Sequence, residues 1–393
     1  MWYLIIGLLI LSLSIYYDFN NKRQKGKNFW FNTLLIILIA IPALRYRVGG
    51  DTLSYITEYE FMPSLVKNHN DYVESRYQPL WLLFVALLKS ISSSFVLLQI
   101  VHAIIVNSII FYVIKKYCKF IFMAIFLYYI YSYFRFNFEV LREALSICII
   151  ALSLDSCLKK KWWKYIIYVT IAFMFHDSAI IMFFMPFLYN RKLNIFLGLL
   201  IVIMSIGLYF GANLIFNQLM SKGLISSDFM LRAAYYMSTS SGFSIKGILY
   251  YFSIHLFLPL FIFFIGKRNG VSSVVDGFLV FYIFVGLISS LIPGLYRFAN
   301  YQIIFSIIYL SNFFYQIRIP STNNRIFPVH KILMVCILSI VLTIRVAIVQ
   351  FRDTSEYYTG TRYYNLYYPY YSIFNPVKYY PREEMVNNMW YNN

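Results

Sequence analysis

The chain has 393 residues, of which 60% are apolar or aromatic and only 13% are charged; a soluble chain of this length carries about twice that share of charge. Its formal net charge of +18 would point to nucleic acid in a soluble protein. Here Lys and Arg stand in short clusters between apolar runs, so no folded basic domain exists and nucleic acid is set aside as a partner.

Apolar runs of about 15 to 25 residues recur along the chain, the sequence form of helices crossing a bilayer. Stretches such as 32–43 and 195–208 are apolar on every side, without the period-two alternation of a membrane β-barrel. The expected fold is all-α: a polytopic transmembrane helical bundle of about 11–13 membrane segments, some of them re-entrant. Residues 1–351 form one integral membrane domain, with external loops at about 45–78 and 216–245. Residues 352–393 form a Tyr-rich external tail.

In chain order, residues 1–15 read as a retained first helix, because no basic residues precede the apolar run and no small-residue cleavage site follows it. The cluster Lys22-Arg23-Gln24-Lys25-Gly26-Lys27 comes next, and the positive-inside bias holds it in the cytoplasm. The amino terminus is then outside, and the second helix delivers Arg45 to the outer face. Between Arg76 outside and Lys115-Lys116-Tyr117-Cys118-Lys119 inside, the number of crossings must be odd. Yet residues 79–114 hold a short apolar segment (79–91), a serine break (Ser92-Ser93-Ser94) and one full-length span. The short segment is therefore expected to dip into the outer leaflet without crossing.

The outer end of the next hairpin carries Arg135, Glu139, Arg142 and Glu143. Glu139 stands three residues before Arg142 and four before Glu143, a spacing that puts them on one face of a helix. Charged groups at membrane depth cost a few kcal/mol each, so they are expected to face a cavity and to pair. One reading is snorkelling or helix-to-helix ion pairs. The other is a basic pocket for an anionic head group, since the arginine fork suits phosphate oxygens.

A second parity conflict follows. Lys159-Lys160-Lys161-Trp162-Trp163-Lys164 and Arg191-Lys192 both read as cytoplasmic, and the run between them breaks at His176-Asp177-Ser178. Two half-helices are expected there. Broken helices at membrane depth are tolerated only where protein or a cavity satisfies their backbone, so the two irregular regions are where a site is expected. His176 is either a hydrogen-bonded helix contact or a catalytic or ligand group; His102 and His255 read as packing.

Further on, Lys267-Arg268 and the stretch from Arg318 to Lys331 mark cytoplasmic loops. Pro293-Gly294-Leu295-Tyr296 makes a turn, followed by Arg297 and, one turn later, Tyr301. The final span, 332–349, runs outward to the tail. Tyr363-Tyr364-Asn365-Leu366-Tyr367-Tyr368-Pro369-Tyr370-Tyr371 fits an interfacial aromatic belt and equally a surface for stacking sugars. The cysteines Cys118, Cys148, Cys157 and Cys336 show no C-x-x-C or His/Cys spacing, so neither a metal site nor a disulfide framework is indicated.

Four blocks carry a resemblance. They are Arg47-Val48-Gly49-Gly50-Asp51 followed by Tyr55, Glu74-Ser75-Arg76-Tyr77 with Pro79-Leu80, Leu141-Arg142-Glu143-Ala144-Leu145, and Phe175-His176-Asp177-Ser178-Ala179. In order and spacing the chain resembles the EpsG-like family of Wzy-type O-antigen and exopolysaccharide polymerases, although Glu143 stands where that family often has Gln. Leu295-Tyr296-Arg297-Phe298 with Tyr301, and Tyr368-Pro369-Tyr370, add to the likeness.

The resemblance implies a glycosyltransferase at the outer face of a bacterial inner membrane that joins undecaprenyl-diphosphate-linked repeat units, with membrane lipid and a chain-length regulator protein as further partners. Asp51, Glu74 and His176 are then candidates for the base that deprotonates the acceptor hydroxyl. Arg47, Arg142 and Arg297 would neutralise the departing diphosphate, and Tyr55, Tyr301, Tyr368 and Tyr370 would contact sugar. No cluster of acidic metal ligands is apparent, so no metal or other cofactor is expected. Three alternatives stay open: a lipid-linked sugar flippase or transporter, which intramembrane arginines and broken helices suit equally, an O-antigen ligase, and a membrane acyltransferase centred on His176.

Overall fold

The computed structural model of the chain describes residues 2–19, 24–62, 64–65, 77–192, 257–268, 270, 272–291, 295–318 and 363–391, with a few single positions between 196 and 253. Glu74, the loop at 216–245, His255 and the final span at 332–349 lie outside the described residues.

What is described is predominantly helical. The α-helices are α1 (Trp2–Leu13), α2 (Lys27–Ala43), α3 (Gly50–Phe61), α4 (Pro79–Ile91), α5 (Phe95–Tyr117), α6 (Ile121–Tyr128), α7 (Leu141–Leu152), α8 (Leu154–Leu158), α9 (Trp162–Phe173), α10 (Met185–Leu188), α11 (Leu258–Arg268), α12 (Leu279–Leu291), α13 (Ile303–Arg318) and α14 (Tyr380–Tyr391). Three π-helical turns, Ser14–Asp18, Tyr129–Tyr133 and Arg135–Glu139, and the 3-10 helices Asp177–Phe184 and Leu295–Gln302 interrupt this pattern. Among the described residues α5 alone is long and apolar enough to cross a membrane by length and composition. Its 23 residues extend about 34 Å.

Helix α6 and the turn after it are buried on nearly every side, and they form the centre of the bundle. Around them α2 packs on α5, α5 on α7 and α7 on α9, while α1 and α13 lie against α6. The outer helices are apolar outward as well as inward: Leu4 and Leu8 of α1, Ile36 of α2, Ile167 of α9 and Phe261 of α11 are all exposed. Apolar side chains on both faces are what a lipid-facing helix presents.

The core also holds a closed polar ring. Asn107 Nδ2 donates to Asn137 Oδ1 at 2.7 Å, Asn137 Nδ2 donates to the Tyr128 hydroxyl at 2.9 Å, and that hydroxyl donates to Asn107 Oδ1 at 3.0 Å. Every member is satisfied, so burial there carries little desolvation penalty.

Two ends of the bundle differ in charge. At one end the described members of the basic clusters meet. Asp18 lies 4.0 Å from Lys27 and accepts from the Met123 amide at the start of α6, while Asp155 takes Lys116 and the Tyr117 hydroxyl. Asn312 links Lys119, Tyr117 and Ser273, and Lys267 pairs with Asp276.

At the other end lie Arg45–Asp51, α3, the start of α4, the break at His176, Arg297 and the tail. Helix α4 stays there. Its Trp81 ring meets Tyr55 of α3, and its Lys89 reaches the carbonyls of Tyr59, Glu60 and Met62 at the end of α3. Both halves of α4 thus lie along one short helix.

The tail folds back onto this second end. Tyr46 N donates to Tyr371 O, Ile373 N to Leu44 O and Gly49 N to Leu366 O. Arg382, 1% exposed, holds the turn closed by donating to the carbonyls of Asn365 (2.7 Å), Arg47 (3.0 Å) and Pro369 (2.6 Å). A buried acceptor left without its donor costs about 1–3 kcal/mol. Arg382→Ala is therefore expected to release the tail, seen as protease cleavage within residues 363–391 while the bundle stays intact.

Candidate active site

The local chain at Arg47–Asp51 explains why glycines stand there. Gly49 has φ 112, and a Cβ on it would lie 2.6 Å from Thr52 Oγ1 and 2.8 Å from Phe138 O. At Gly50 a Cβ would meet Glu139 Oε2 at 2.9 Å. The close approach has a purpose in the fold. The Glu139 carboxylate accepts from the amides of Gly50 and Asp51, both at 2.9 Å, and so caps the N-terminus of α3 from 89 residues away. A carboxylate is favoured at that positive end. Gly49→Ala is expected to cost about 1–3 kcal/mol, measured as a fall in apparent melting temperature in detergent.

Glu139 does not share a face with Arg142 and Glu143, contrary to the helical spacing. Residues Arg135–Glu139 form a π-helical turn, and Val140 (φ −99, ψ 61) ends it before α7 begins at Leu141. The wider turn and the break rotate Glu139 back toward α3.

Asp51 opens α3. Burial and the neighbouring Glu139 carboxylate raise its pKa well above the ordinary carboxylate range, opposed by Arg297 and Arg135. Tyr55 lies one turn further along α3, within reach of the Arg142 charge. The Arg142 guanidinium lies 4.5 Å from the centre of the Tyr77 ring, and its Nη1 donates to Gln78 Oε1 at 3.1 Å. Its Nε is buried with no hydrogen-bond partner among the described residues.

On the next residue, Glu143 is 1% exposed. Its Oε1 accepts from Asn300 Nδ2 at 2.6 Å, and its Oε2 has no partner among the described residues. Adjacent residues of one helical turn thus hold a donor and an acceptor that find no partner among the described residues.

The 3-10 helix Leu295–Gln302 faces α7 in register: Asn300 meets Glu143, and Tyr301 meets Ser146 at 2.9 Å. Arg297, three residues before Asn300, points to the break after α9, where its Nη1 lies 3.2 Å from His176 Nε2. His176 Nδ1 lies 2.6 Å from Ser178 Oγ, and that hydroxyl lies 3.1 Å from the Tyr301 hydroxyl.

Of the sequence candidates, Asp51, Tyr55, Arg142, His176, Arg297 and Tyr301 come together here, drawn from four separated stretches of chain. Tyr301 is buried, with its hydroxyl held by two serines. Arg47 turns to the tail, where Nε meets Glu383 Oε1 at 2.6 Å; its own backbone has φ 54, which a non-glycine residue rarely adopts. Tyr370 donates to Ile41 O at 2.8 Å, and Tyr368 is exposed. Glu74 lies outside the described residues.

The sequence pattern did not single out Gln78, Ser146, Asn300, Arg382 or Glu383. These are common residue types, each near a motif but outside its spacing. Among the described residues no group of three or more His, Cys, Asp or Glu side chains is gathered to hold a metal ion.

A family model described as the EpsG family matches residues 28–372. No curated protein and no solved structure matches the chain.

Proposed function

As a member of the EpsG family the chain takes part in polysaccharide biosynthesis, and on that premise we propose that it is a polysaccharide polymerase of the Wzy type. It is a glycosyltransferase that joins undecaprenyl-diphosphate-linked repeat units at the outer face of a bacterial inner membrane. The acceptor hydroxyl attacks the anomeric carbon of the donor. A C–O bond forms to the acceptor oxygen, the bond from the anomeric carbon to the diphosphate oxygen breaks, and the hydroxyl proton passes to a base. The lipid diphosphate leaves with the electron pair.

The observation that carries this reading is that Arg142 and Arg297 both lie near His176 at one end of the bundle, with Arg142 Nε buried and without a hydrogen-bond partner among the described residues. A guanidinium N–H buried without an acceptor costs free energy, and an incoming phosphate oxygen removes that cost. Arg142 and Arg297 act on charge as it develops on the leaving diphosphate. Asp51 is the base, because its raised pKa brings proton affinity toward that of a working general base near neutral pH. The gathering of the basic clusters at the opposite end supports an outward-facing site through the positive-inside bias.

A deletion strain tests the function. Loss of a polymerase leaves surface lipid capped with single repeat units, whereas loss of a flippase or of a ligase leaves none. Cysteines placed at 142 and 297 are expected to label from one side of the membrane. Labelling from opposite sides would remove the shared pocket and the assignment with it.

A further inference from the structure

The break after α9 contains more order than a histidine beside an arginine needs. Starting at the guanidinium, five contacts join six groups at hydrogen-bonding distance: Arg297 Nη1 to His176 Nε2 (3.2 Å), His176 Nδ1 to Ser178 Oγ (2.6 Å), Ser178 Oγ to Tyr301 Oη (3.1 Å), Tyr301 Oη to Ser146 Oγ (2.9 Å) and Ser146 Oγ to Ala172 O (2.8 Å). His176, Ser178, Tyr301 and Ser146 are all buried.

The two ends of this chain fix its direction. A guanidinium only donates, so His176 Nε2 must be the accepting nitrogen and Nδ1 must carry the proton of the neutral ring. A carbonyl only accepts, so Ser146 donates to Ala172 O. Ser146 then takes the Tyr301 proton, Tyr301 takes the Ser178 proton, and Ser178 takes the His176 Nδ1 proton. Both ends demand the same tautomer. The Ser178 amide also lies 3.2 Å from Nδ1. That amide points at Nδ1 as a donor. The Nδ1–H tautomer gives up this longer contact to keep the 2.6 Å one to Ser178 Oγ. The opposite tautomer keeps it but sets an Nε2–H against a guanidinium N–H and breaks the order of donors that ends at Ala172 O.

We propose that His176 is the anchor of Arg297 and not the base of the reaction, and that Ser178, Tyr301 and Ser146 are positioning residues forming a one-way hydrogen-bond relay that holds the guanidinium in place. The lone pair a base would need already faces Arg297. The relay spans three stretches distant in sequence: α7, the break at His176 with the start of Asp177–Phe184, and Leu295–Gln302. It therefore ties the position of Arg297 to the packing of the bundle, as a preorganised charge requires. This assignment rests on the reading of Arg297 as a diphosphate clamp.

The test has two arms on the full-length protein in nanodiscs. Nitrogen-15 NMR of histidine-labelled protein, with the His176 signals assigned by their loss in His176→Gln, is expected to show a neutral ring protonated at Nδ1. A ring protonated at Nε2, or an imidazolium, would overturn the relay whatever the enzyme does. In elongation assays with lipid-linked repeat units, His176→Gln keeps an acceptor for Arg297 and is expected to retain at least about tenfold more turnover than His176→Leu, about the worth of one hydrogen bond. Equal loss in both variants, at equal melting temperature, would restore the base and sink the anchor. Tyr301→Phe is expected to lower kcat about tenfold with KM little changed; an unaltered kcat would cut Tyr301 out of the relay. An Nδ1-protonated ring together with a fully active Arg297→Ala variant would leave the relay standing and fault the clamp instead.

Discussion

Arg142→Ala is expected to lower chain elongation by about 10²–10³-fold while the protein remains in the membrane at its normal level. The guanidinium sits between the Tyr77 ring and the Gln78 amide, neutral partners that orient it without cancelling its charge. Its buried Nε has no acceptor among the described residues. On the proposed mechanism, removing it deletes charge stabilisation that matters only as the diphosphate departs, so the loss should fall on kcat more than on KM. Arg142→Lys is expected to recover little, because an ammonium lacks the planar fork and cannot stack on Tyr77 in the same way. Glycan ladders of wild-type length from Arg142→Ala would end the clamp hypothesis.

Asp51→Asn is expected to reduce elongation by about 10²–10⁴-fold, the usual worth of a general base. Its pH behaviour provides a second check with two opposite signs. Burial and the Glu139 carboxylate hold the Asp51 carboxyl protonated above the ordinary range, so the basic form accumulates only as pH rises through the raised native pKa. Wild-type activity should climb over that interval.

Stability should run the other way. The native pKa lies above the unfolded value of about 3.9, so native-state proton binding stabilises the fold fully below that value, and the contribution is lost as pH rises through the native pKa. The wild type is then expected to lose apparent melting temperature from about pH 5 to about pH 9, and Asp51→Asn, which resembles the protonated acid, to lose less. Identical profiles for the two proteins would exclude Asp51 as the titrating group.

Much of this was readable before any coordinates. Apolar runs and basic clusters act locally: each stretch of about 20 residues is sorted by its own transfer free energy and flanking charge. For that reason the helical character, the collection of lysine-rich loops at one end, the short segment at 79–91 and the break at His176 follow from the sequence. Motifs of a few residues also sufficed to place the chain in its family and to nominate Arg142, His176 and Arg297.

Which of these groups meet was a different question. Arg142, His176 and Arg297 are separated by tens to more than a hundred residues, and only the packing of α7, α9 and the 3-10 helix at 295–302 sets Arg297 against His176 and brings the Arg142 charge near them. The π-helical turn at Arg135–Glu139 changes the residues per turn, so the ideal helical spacing that joined Glu139 to Arg142 and Glu143 did not apply, and Glu139 became a cap for α3. Arg47 met Glu383 of the tail because Arg382 folds that tail back through three carbonyls, a contact with no local signature. Composition is a sum over neighbours along the chain. A site is a coincidence of residues far apart in sequence, and only the tertiary structure could decide it.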